Sequence, residues 1–451
     1  MAQVELGDAA QWIVCIDFGT AFSKAAAVRA DAWDAFDPSK IRPLTIGAVS
    51  QYSHPFLLES AVFVGDTHVK FGVEAVLHAG DLAASKRQAL RSFKTLLSAA
   101  DLDRALETFA PLSIDPHRIF TQRDLIVLFL AYLIRAIGRA QAADPELAGA
   151  LVRRRYALPA WRGGVSMHGR ITALFSAAEA VAARLGDRMF EADGVELAAA
   201  VDALKQAGAP PPLAMDMVFE ATAAAAYSMV GLKAPASHLM VVDMGAGTTD
   251  FAALAAAKGR MDEVVDSRVT LLRAGDVIDR ILLDLLLQKA PNIKTRAEQA
   301  ELWRALMTSI RDVKESLFVD GRAAISHNGK AKSIALRDLT KDQDFKAFVR
   351  DVKRAFDRSL SAVAARAAAD GAKEVCVVAV GGGAAAPFVQ DMVRAAKAPK
   401  VRVRSYPATP EWAHSAAFGG NLAPVYAQLA VAIGGALAPE DMLAAYDRSA
   451  V

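Results

Sequence analysis

The sequence predicts an α/β protein with two duplicated lobes that face a common cleft. Short apolar runs of strand length alternate along the chain with alanine-rich helical stretches, as in proteins whose sheets are covered by helices. Segments 12–28 and 238–254 share one plan: an apolar strand, an aspartate at its end, a glycine two positions later, a hydroxyl residue and a second strand. The polar residues match as well as the apolar ones, so we favour duplication over two unrelated hairpins that look alike.

Composition and charge narrow the class of protein. The chain has 451 residues, of which 53% are hydrophobic and 23% are charged, and its formal net charge is +2. This length predicts two or three domains with a sizeable core. The near-neutral charge provides no overall field for nucleic acid or an anionic membrane, so we expect neither as a partner.

Cysteine usage and apolar segments indicate the compartment. Cys15 and Cys376 lie far apart in apolar runs, which excludes a disulfide framework and a cysteine-based zinc site. Segment 1–12 lacks the basic and apolar regions of a signal peptide, and the apolar run 125–134 is too short to span a membrane. We expect a soluble cytoplasmic protein.

The individual elements follow from local patterns. Thr121 is a good N-cap for a long helix, with Asp124 in its first turn, and the Ala-Pro-Pro-Pro run at 209–212 must end the helical stretch before it. Apolar runs predict strands at 13–16, 25–28, 61–64, 68–71, 156–158, 239–242, 251–254 and 375–380. Helical patterns cover 121–142, 166–208, 276–290, 296–318 and 342–370.

The turn after the first strand carries the groups of a phosphate site. Asp17-Phe18-Gly19-Thr20 would expose backbone N–H groups in a concave nest, and Gly19 would let phosphate oxygens approach closely. Thr20 adds a hydroxyl donor, and Lys24 could reach back to a phosphate. Asp17 would hold a hydrated Mg²⁺. Taken alone, this pattern also occurs as an ordinary turn.

The turn after the strand at 239–242 repeats this chemistry with more donors. Asp243-Met244-Gly245-Ala246-Gly247-Thr248-Thr249-Asp250 places two glycines and two threonines between two carboxylates. The turn could grip terminal phosphates while Asp243 and Asp250 face a cation. The glycine spacing differs from the dinucleotide-binding fingerprint, and the chain has no P-loop motif. The alternative is a hairpin whose polar residues have no function.

Two further features follow predicted strands. Gly381-Gly382-Gly383 precedes a helix near Pro387, and a helix N-terminus after glycines favours an anion and lets a ribose or base lie against the backbone. Glu220 begins the segment EATAAAAYS, where its carboxylate could position a water. The alternatives are a flexible turn and a glutamate that merely favours a helix start.

Taken in order, these motifs resemble the actin and DnaK-type heat-shock ATPase superfamily. IDFGTAFSKAAAV resembles its first phosphate motif, VVDMGAGTTDFAAL its second, and VVAVGGGAAAPFVQDMV its adenosine motif. FEATAAAAYSM and QLAVAIGGAL resemble its two connecting helices. ALRSFKTLL, RAGDVIDRILLDLLL and IRDVKESLFVDGRAAI are similar to segments of the heat-shock branch. We therefore place the chain closest to stand-alone DnaK-like nucleotide-binding domains that lack a peptide-binding domain.

This resemblance, which covers residues 12–437, implies an actin-like ATPase fold. Two lobes, each with a five-stranded mixed sheet and flanking helices, would surround a nucleotide cleft. Lobe I would span 1–235 and lobe II 236–437, with a short C-terminal tail at 438–451. ATP or ADP and Mg²⁺ would lie in the cleft, with K⁺ as a candidate second ion.

The resemblance also implies a role for each motif residue. Lys94 would stabilise the charge that develops during in-line attack of water on the γ-phosphate, unless it is a solvated helix lysine. Asp17 and Asp243 would hold Mg²⁺ through waters. The other expected contacts are Thr20 and Thr248 at the γ-phosphate, Glu220 and Asp250 at the water or ion shell, and Gly19, Ala21, Lys24, Gly245, Ala246, Gly247, Thr249, Gly275, Arg311, Lys314, Gly381, Gly382 and Gly383 around the nucleotide.

Four departures from the family pattern bear on function. Too few residues follow 437 for a peptide-binding domain and its lid. Ala385 stands where an arginine over the adenine is usual and Arg311 where a glutamate is usual, so we expect Arg311 to stack on the base from the other side. Ala221 replaces the proline of the first connecting helix. Span 185–212 is an added helix-turn element, which either binds a partner or is a loop insertion without consequence.

The leading interpretation is an ATP-hydrolysing, chaperone-like protein whose nucleotide state drives lobe closure and engages a separate protein partner. The first alternative is an actin-like filament subunit, which Lys24 favours and which should pellet with ATP and not without it. The second is a small-molecule kinase or a polyphosphate-cleaving enzyme on the same fold, for which no catalytic aspartate can be assigned. The third is a nucleotide sensor that binds ATP with little hydrolysis. Monomer and homo-oligomer both stay open.

Overall fold

The computed structural model of the chain describes residues 11–33, 36–47, 54–81, 87–99, 101–159, 164–208, 216–230, 237–257, 260–289, 295–327 and 330–439. The strands are β1 (Trp12–Asp17), β2 (Phe22–Arg29), β3 (Ile41–Pro43), β4 (Leu58–Glu59), β5 (Ala61–Val64), β6 (His68–Phe71), β7 (Leu90–Arg91), β8 (Val152–Leu158), β9 (Val195–Glu196), β10 (Asp216–Phe219), β11 (His238–Met244), β12 (Thr249–Ala257), β13 (Arg260–Glu263), β14 (Val269–Leu271), β15 (Arg322–His327), β16 (Lys330–Ala335), β17 (Glu374–Val380) and β18 (Arg402–Ser405). The helices are α1 (Gly72–Asp81), α2 (Leu102–Glu107), α3 (Gln122–Ala143), α4 (Gly164–Leu185), α5 (Leu197–Ala207), α6 (Glu220–Val230), α7 (Gly275–Lys289), α8 (Arg296–Asp320), α9 (Leu336–Lys341), α10 (Gln343–Ala369), α11 (Pro387–Arg394) and α12 (Tyr426–Leu437).

Two sheets with the same topology form the centres of the two lobes. The first has the strand order β10-β8-β1-β2-β3, and the second has the order β13-β12-β11-β17-β18. In both, the central strand (β1 or β11) pairs in parallel on one side and antiparallel with its hairpin partner on the other. The predicted fold is confirmed, and each five-stranded path carries one short additional strand, β4 beside β2 and β14 beside β12.

The repeated topology places the two motif aspartates at equivalent positions. Asp17 ends β1 opposite Lys24 of β2, and Asp243 lies near the end of β11 opposite Asp250 of β12. The carboxyl ends of parallel strands meet at one edge of a sheet, which is where ligands bind in open α/β sheets. The polar turns of each lobe therefore collect at the edge that faces the other lobe.

Three apolar clusters stabilise this arrangement. One packs α3 and α4 on the first sheet, and a second packs α7, α8 and α10 on the second sheet. The third lies between the sheets around α6 and α12, and α12 also packs on β1 and β2. A Cβ on Gly434 of α12 would collide with the carbonyl oxygen of Ala223 in α6, so the two helix backbones are in direct contact there.

Helix α3 is long and largely apolar. Thr121 caps it as predicted: its hydroxyl accepts from Asp124 N at 3.2 Å, and Asp124 Oδ2 accepts from Thr121 N at 2.9 Å. The helix runs well beyond the apolar segment 125–134, and by length and composition it could cross a membrane. However, 61% of its most apolar window is buried inside the protein, which is typical of a core helix.

The single helix predicted over 166–208 is wrong, because the chain breaks it into separate elements. Helix α4 ends at Leu185, and Gly194 adopts a φ of +90°, which turns the chain into the two-residue strand β9. Strand β9 is the edge strand of a separate four-stranded sheet with the order β7-β5-β6-β9, and helix α5 follows β9 directly. The described part of span 185–212 is therefore built into the first lobe, while the proline run at 209–212 lies outside the described residues.

Candidate functional site

The two glycine turns of the repeat face each other across a cleft between the lobes. A Cβ on Gly247 would lie 3.0 Å from Thr20 Cγ2 and 2.6 Å from Thr95 Cγ2, so the second turn lies directly against the first lobe. The cleft is open to solvent, and residues of both lobes line it. Ligand sites occur preferentially in clefts of this kind between two lobes.

Most of the predicted site residues line this cleft. They come from the turns that follow β1, β11 and β17, from the segment after β7, from the first residues of α6 and α7, and from α8. The predicted residues in the lining are Asp17, Gly19, Thr20, Ala21, Lys24, Lys94, Glu220, Asp243, Gly245, Ala246, Thr248, Gly275, Arg311, Lys314, Gly381, Gly382 and Gly383.

A buried serine fixes the first turn. Ser60 Oγ donates to the carbonyl oxygen of Gly19 at 2.8 Å and lies 3.0 Å from Ser23 Oγ. The backbone of Ser60 also donates to the carbonyl oxygen of Ala21 at 2.9 Å. Ser60 therefore bonds the carbonyl groups of Gly19 and Ala21 and holds the turn in place.

Two lysines are paired with buried carboxylates in the cleft. Lys24 Nζ donates to Asp17 Oδ2 at 2.6 Å, and Lys94 Nζ donates to Glu220 Oε1. The Lys94 side chain is only 11% exposed, so the alternative of a solvated helix lysine is excluded. A cationic group held in this position can stabilise negative charge that develops on a bound phosphate.

The carboxylates of the cleft raise one another's pKa values. Burial raises the pKa of Glu220, with Asp17 and Asp243 acting in the same direction and Lys94 against it. Burial, Asp250 and Asp17 together raise the pKa of Asp243 to about 7. At the end of the cleft that contains Lys24 and Lys94, three carboxylates therefore lie near two lysines.

These carboxylates suit a hydrated magnesium ion. Mg²⁺ usually keeps several waters and binds through one or two carboxylates together with substrate phosphates. Within the described part of the chain, no three His, Cys, Asp or Glu side chains form a group that could hold a metal ion. The carboxylates of Asp17 and Asp243 come from opposite lobes and both line the cleft, which is the arrangement that the predicted role of holding Mg²⁺ through waters requires.

Backbone hydrogen bonds join the start of α7 to the second glycine turn at one corner of the cleft. The first residues of α7 are tied to the second glycine turn, because Gly275 N donates to Gly245 O at 3.2 Å and Asp276 N donates to Ala246 O at 2.8 Å. Lys314 of α8 reaches this corner, where its Nζ lies 2.7 Å from Asp279 Oδ1 and 3.4 Å from Gly275 O. Lys314 and Gly275, both predicted to lie around the nucleotide, therefore meet at this corner.

Arg311 lines the cleft, but its contacts differ from the predicted stacking on the base. Its Nη1 donates to Glu59 Oε2 at 3.0 Å, and its guanidinium lies 5.4 Å from the centre of the Phe22 ring. Both partners belong to the first lobe, whereas Arg311 belongs to the second. The structure thus gives Arg311 a protein partner across the cleft.

Three predicted site residues do not line the cleft. Thr249 is fully buried, and its hydroxyl donates to Arg273 O at 2.9 Å, so it supports the sheet and does not face a ligand. Asp250 accepts from Thr270 Oγ1 at 2.6 Å and acts on the cleft through its charge on Asp243. Gly247 has no side chain, and this allows the second turn to lie directly against Thr20.

Other lining residues were not predicted. Glu315 and Phe318 of α8 and Gln428 of α12 face the cleft, as do Phe22, Met244, Ile278, Ala386 and Val431. Glu315 lies four residues after Arg311 and Phe318 lies four residues after Lys314, so helical spacing from these two predicted residues could have identified both. Gln428, the first residue of the segment likened to the last connecting helix, carried a weaker signal.

Comparison with known proteins agrees with this geometry. The model of the MreB/Mbl protein family matches residues 189–411, a little less than half of the chain. The match runs from the end of the first lobe through the second phosphate turn and the glycine run at 381–383. No curated protein matches the chain significantly.

None of these findings supports the predicted heat-shock branch, and the filament alternative fits them better. The chain thus has the fold of the actin-like ATPase superfamily, to which the MreB/Mbl family belongs.

Proposed function

We propose that the chain is an actin-like ATPase that binds ATP with Mg²⁺ between its lobes, hydrolyses it, and assembles with further copies of itself in the ATP-bound state. The observation that carries this proposal is the pair of duplicated glycine turns that face each other across a cleft containing Asp17, Asp243, Lys94 and Glu220. The similarity to the MreB/Mbl family over the second lobe supports it.

The cleft residues suggest how hydrolysis proceeds. The backbone N–H groups of the two turns and the hydroxyls of Thr20 and Thr248 bind the terminal phosphates from opposite lobes. Glu220 orients a water for in-line attack, and Lys94, which its ion pair holds in place, stabilises charge on the transferred group. When bound, Mg²⁺ neutralises charge on the phosphates. Positioning and electrostatics supply the catalysis.

Phosphate contacts from both lobes couple the nucleotide to protein shape. ATP touches the first turn and the second turn at once, whereas ADP lacks the γ-phosphate that connects them. A ligand shifts a conformational equilibrium only by its difference in affinity for the two states. ATP therefore favours the closed lobes more than ADP does, and a closed protomer presents one defined surface to the next copy.

Self-assembly is the better-supported use of this closure. Lys24, which lies in the cleft on Asp17, is a feature that the sequence shares with actins, and the family match points to the MreB/Mbl branch. The chaperone interpretation keeps one specific observation in its favour, which is that Lys94 reaches the cleft. It would require a separate partner that binds clients.

Sedimentation tests the proposal. Purified protein is centrifuged with Mg²⁺ and ATP, with Mg²⁺ and ADP, and without nucleotide, beside Asp243→Asn and the surface control Lys353→Gln. We expect the wild type and Lys353→Gln to pellet with ATP only, and Asp243→Asn to stay in the supernatant. ATP binding without pelleting at any concentration would instead favour a nucleotide sensor or a chaperone-like protein.

A further inference from the structure

A salt bridge joins the two lobes at the mouth of the cleft. Glu59 lies on β4 beside the first sheet, and Arg311 lies on α8 of the second lobe, 252 positions away in sequence. Their side chains are 12% and 16% exposed, so the pair is largely shielded from water. A shielded pair with a direct hydrogen bond is worth more than an exposed one.

The first lobe forms a shaped socket for Arg311. Phe22 and Glu59 are register partners on β2 and β4, so their side chains start from adjacent backbone positions. The guanidinium lies over the Phe22 ring while Nη1 bonds Glu59. On the other side, Arg91 Nη2 lies 3.4 Å from Glu59 Oε1 and holds the carboxylate in place. Ring and carboxylate together match a planar cation.

A second bond between the lobes lies beside the first. Ser92 follows Arg91 directly, and its Oγ donates to Asp276 Oδ2 at 3.0 Å. Asp276 is the second residue of α7, next to Gly275 at the cleft. Ser92 thus bonds α7 directly, while its neighbour Arg91 contacts the carboxylate of Glu59, which in turn bonds Arg311 of α8.

We propose that Glu59 and Arg311 form a latch that holds the lobes closed and sets the rate at which nucleotide leaves. This proposal rests on the proposed function, because it assumes that a nucleotide occupies the cleft. Arg311 is then a positioning residue that acts through Glu59, because its guanidinium already bonds that carboxylate. Glu59 does not line the cleft, so it acts on the nucleotide through its bond to Arg311 and the closed state that this bond stabilises.

The test measures release of a fluorescently labelled ADP after mixing with excess unlabelled ADP. The variants are Glu59→Gln, Arg311→Gln, the double variant and the control Lys353→Gln, whose exposed ion pair with Asp357 lies on α10 away from the cleft. We expect each single latch variant to release nucleotide about fivefold faster or more, and the double variant to be no faster than either single one. Single-turnover hydrolysis by Glu59→Gln and release from Lys353→Gln should match the wild type.

Two results of the release experiment would overturn the latch. If Glu59→Gln releases nucleotide at the wild-type rate while Arg311→Gln is faster, then Arg311 acts on the base itself. If the effects of the two single variants multiply in the double variant, the two residues act independently. If the wild type binds no nucleotide, the proposed function is refuted, but the latch can still be tested. Small-angle scattering then compares the radius of gyration of the nucleotide-free wild type with that of the double variant. The nucleotide-free double variant should have a larger radius of gyration than the wild type, and an equal value would overturn the proposal.

Discussion

Single backbone positions shape the nucleotide cleft, and Gly381 is the clearest example. It adopts a φ of +81°, and a Cβ there would lie 2.5 Å from both Asp243 Oδ1 and Met244 O. We expect Gly381→Ala to lower the free energy of unfolding by about 1–3 kcal/mol, since it combines backbone strain with a clash. Urea denaturation measures this loss, and ATP binding should weaken with it because Asp243 must move.

The neighbouring glycine offers a matched control. Gly382 has only Gln428 Cδ near its Cβ position, at 3.9 Å, which is an ordinary contact. Gly382→Ala should change the free energy of unfolding by less than about 0.5 kcal/mol, as is usual away from strained positions. Equal losses in the two variants would contradict the explanation and would indicate that the whole turn merely tolerates no side chain.

Residue roles were predictable only where the chemistry is local. The pattern of aspartate, glycine and threonine after a strand was enough to place Asp17, Thr20 and Asp243 in the cleft. It could not show that Thr249 bonds Arg273 O, because both threonines of the turn look alike in sequence. Nor could it pair Arg311 with Glu59, because that contact depends on how two lobes meet.

At the scale of elements, the contact between α6 and α12 is the least tolerant packing site. Gly434 lies against the Ala223 carbonyl, whereas Gly138 of α3 has nothing within 4 Å of its Cβ position. We expect Gly434→Ala to destabilise the protein by about 1–3 kcal/mol through overpacking. Gly138→Ala should stabilise it by up to about 1 kcal/mol, because alanine is the better helix former.

Thermal and urea unfolding of both variants test this pair. The same chemical change inside two helices should have effects of opposite sign on the free energy of unfolding. If Gly434→Ala were neutral or stabilising, the two helices would not be in the close contact described, and the α6–α12 pair could not serve as a tightly packed connection between the lobes.

Elements with a long periodic pattern were predicted well. The hairpin of β5 and β6 has the predicted bounds, and the helices near 121–142, 276–290, 296–318 and 342–370 differ from prediction by a few residues. The helix over 166–208 failed because β9 has only two residues, and its pairing with β6 is a tertiary contact. Gly194 was the local signal for the break, since a positive φ favours glycine.

At the scale of the whole molecule, the duplication explains why a symmetric cleft exists at all. The internal repeat predicted two lobes, and the matching strand orders of the two sheets bear this out. Each lobe contributes one aspartate and one glycine turn, so neither lobe alone forms the site. The leading chaperone interpretation, which followed from segments similar to the heat-shock branch, is not supported; the phosphate motifs are common to both branches of the superfamily, and the family match favours the filament branch.

The central claim is that the cleft binds ATP and hydrolyses it with the help of Lys94. The most direct test is single-turnover hydrolysis of ATP by purified protein with Mg²⁺ and K⁺, with ATP binding measured in parallel, for the wild type and Lys94→Ala. We predict that both proteins bind ATP and that Lys94→Ala hydrolyses it about 10²–10³-fold more slowly, as for loss of one group that stabilises the transition state. Hydrolysis by Lys94→Ala at the wild-type rate, or a wild type that binds no ATP, would contradict the account.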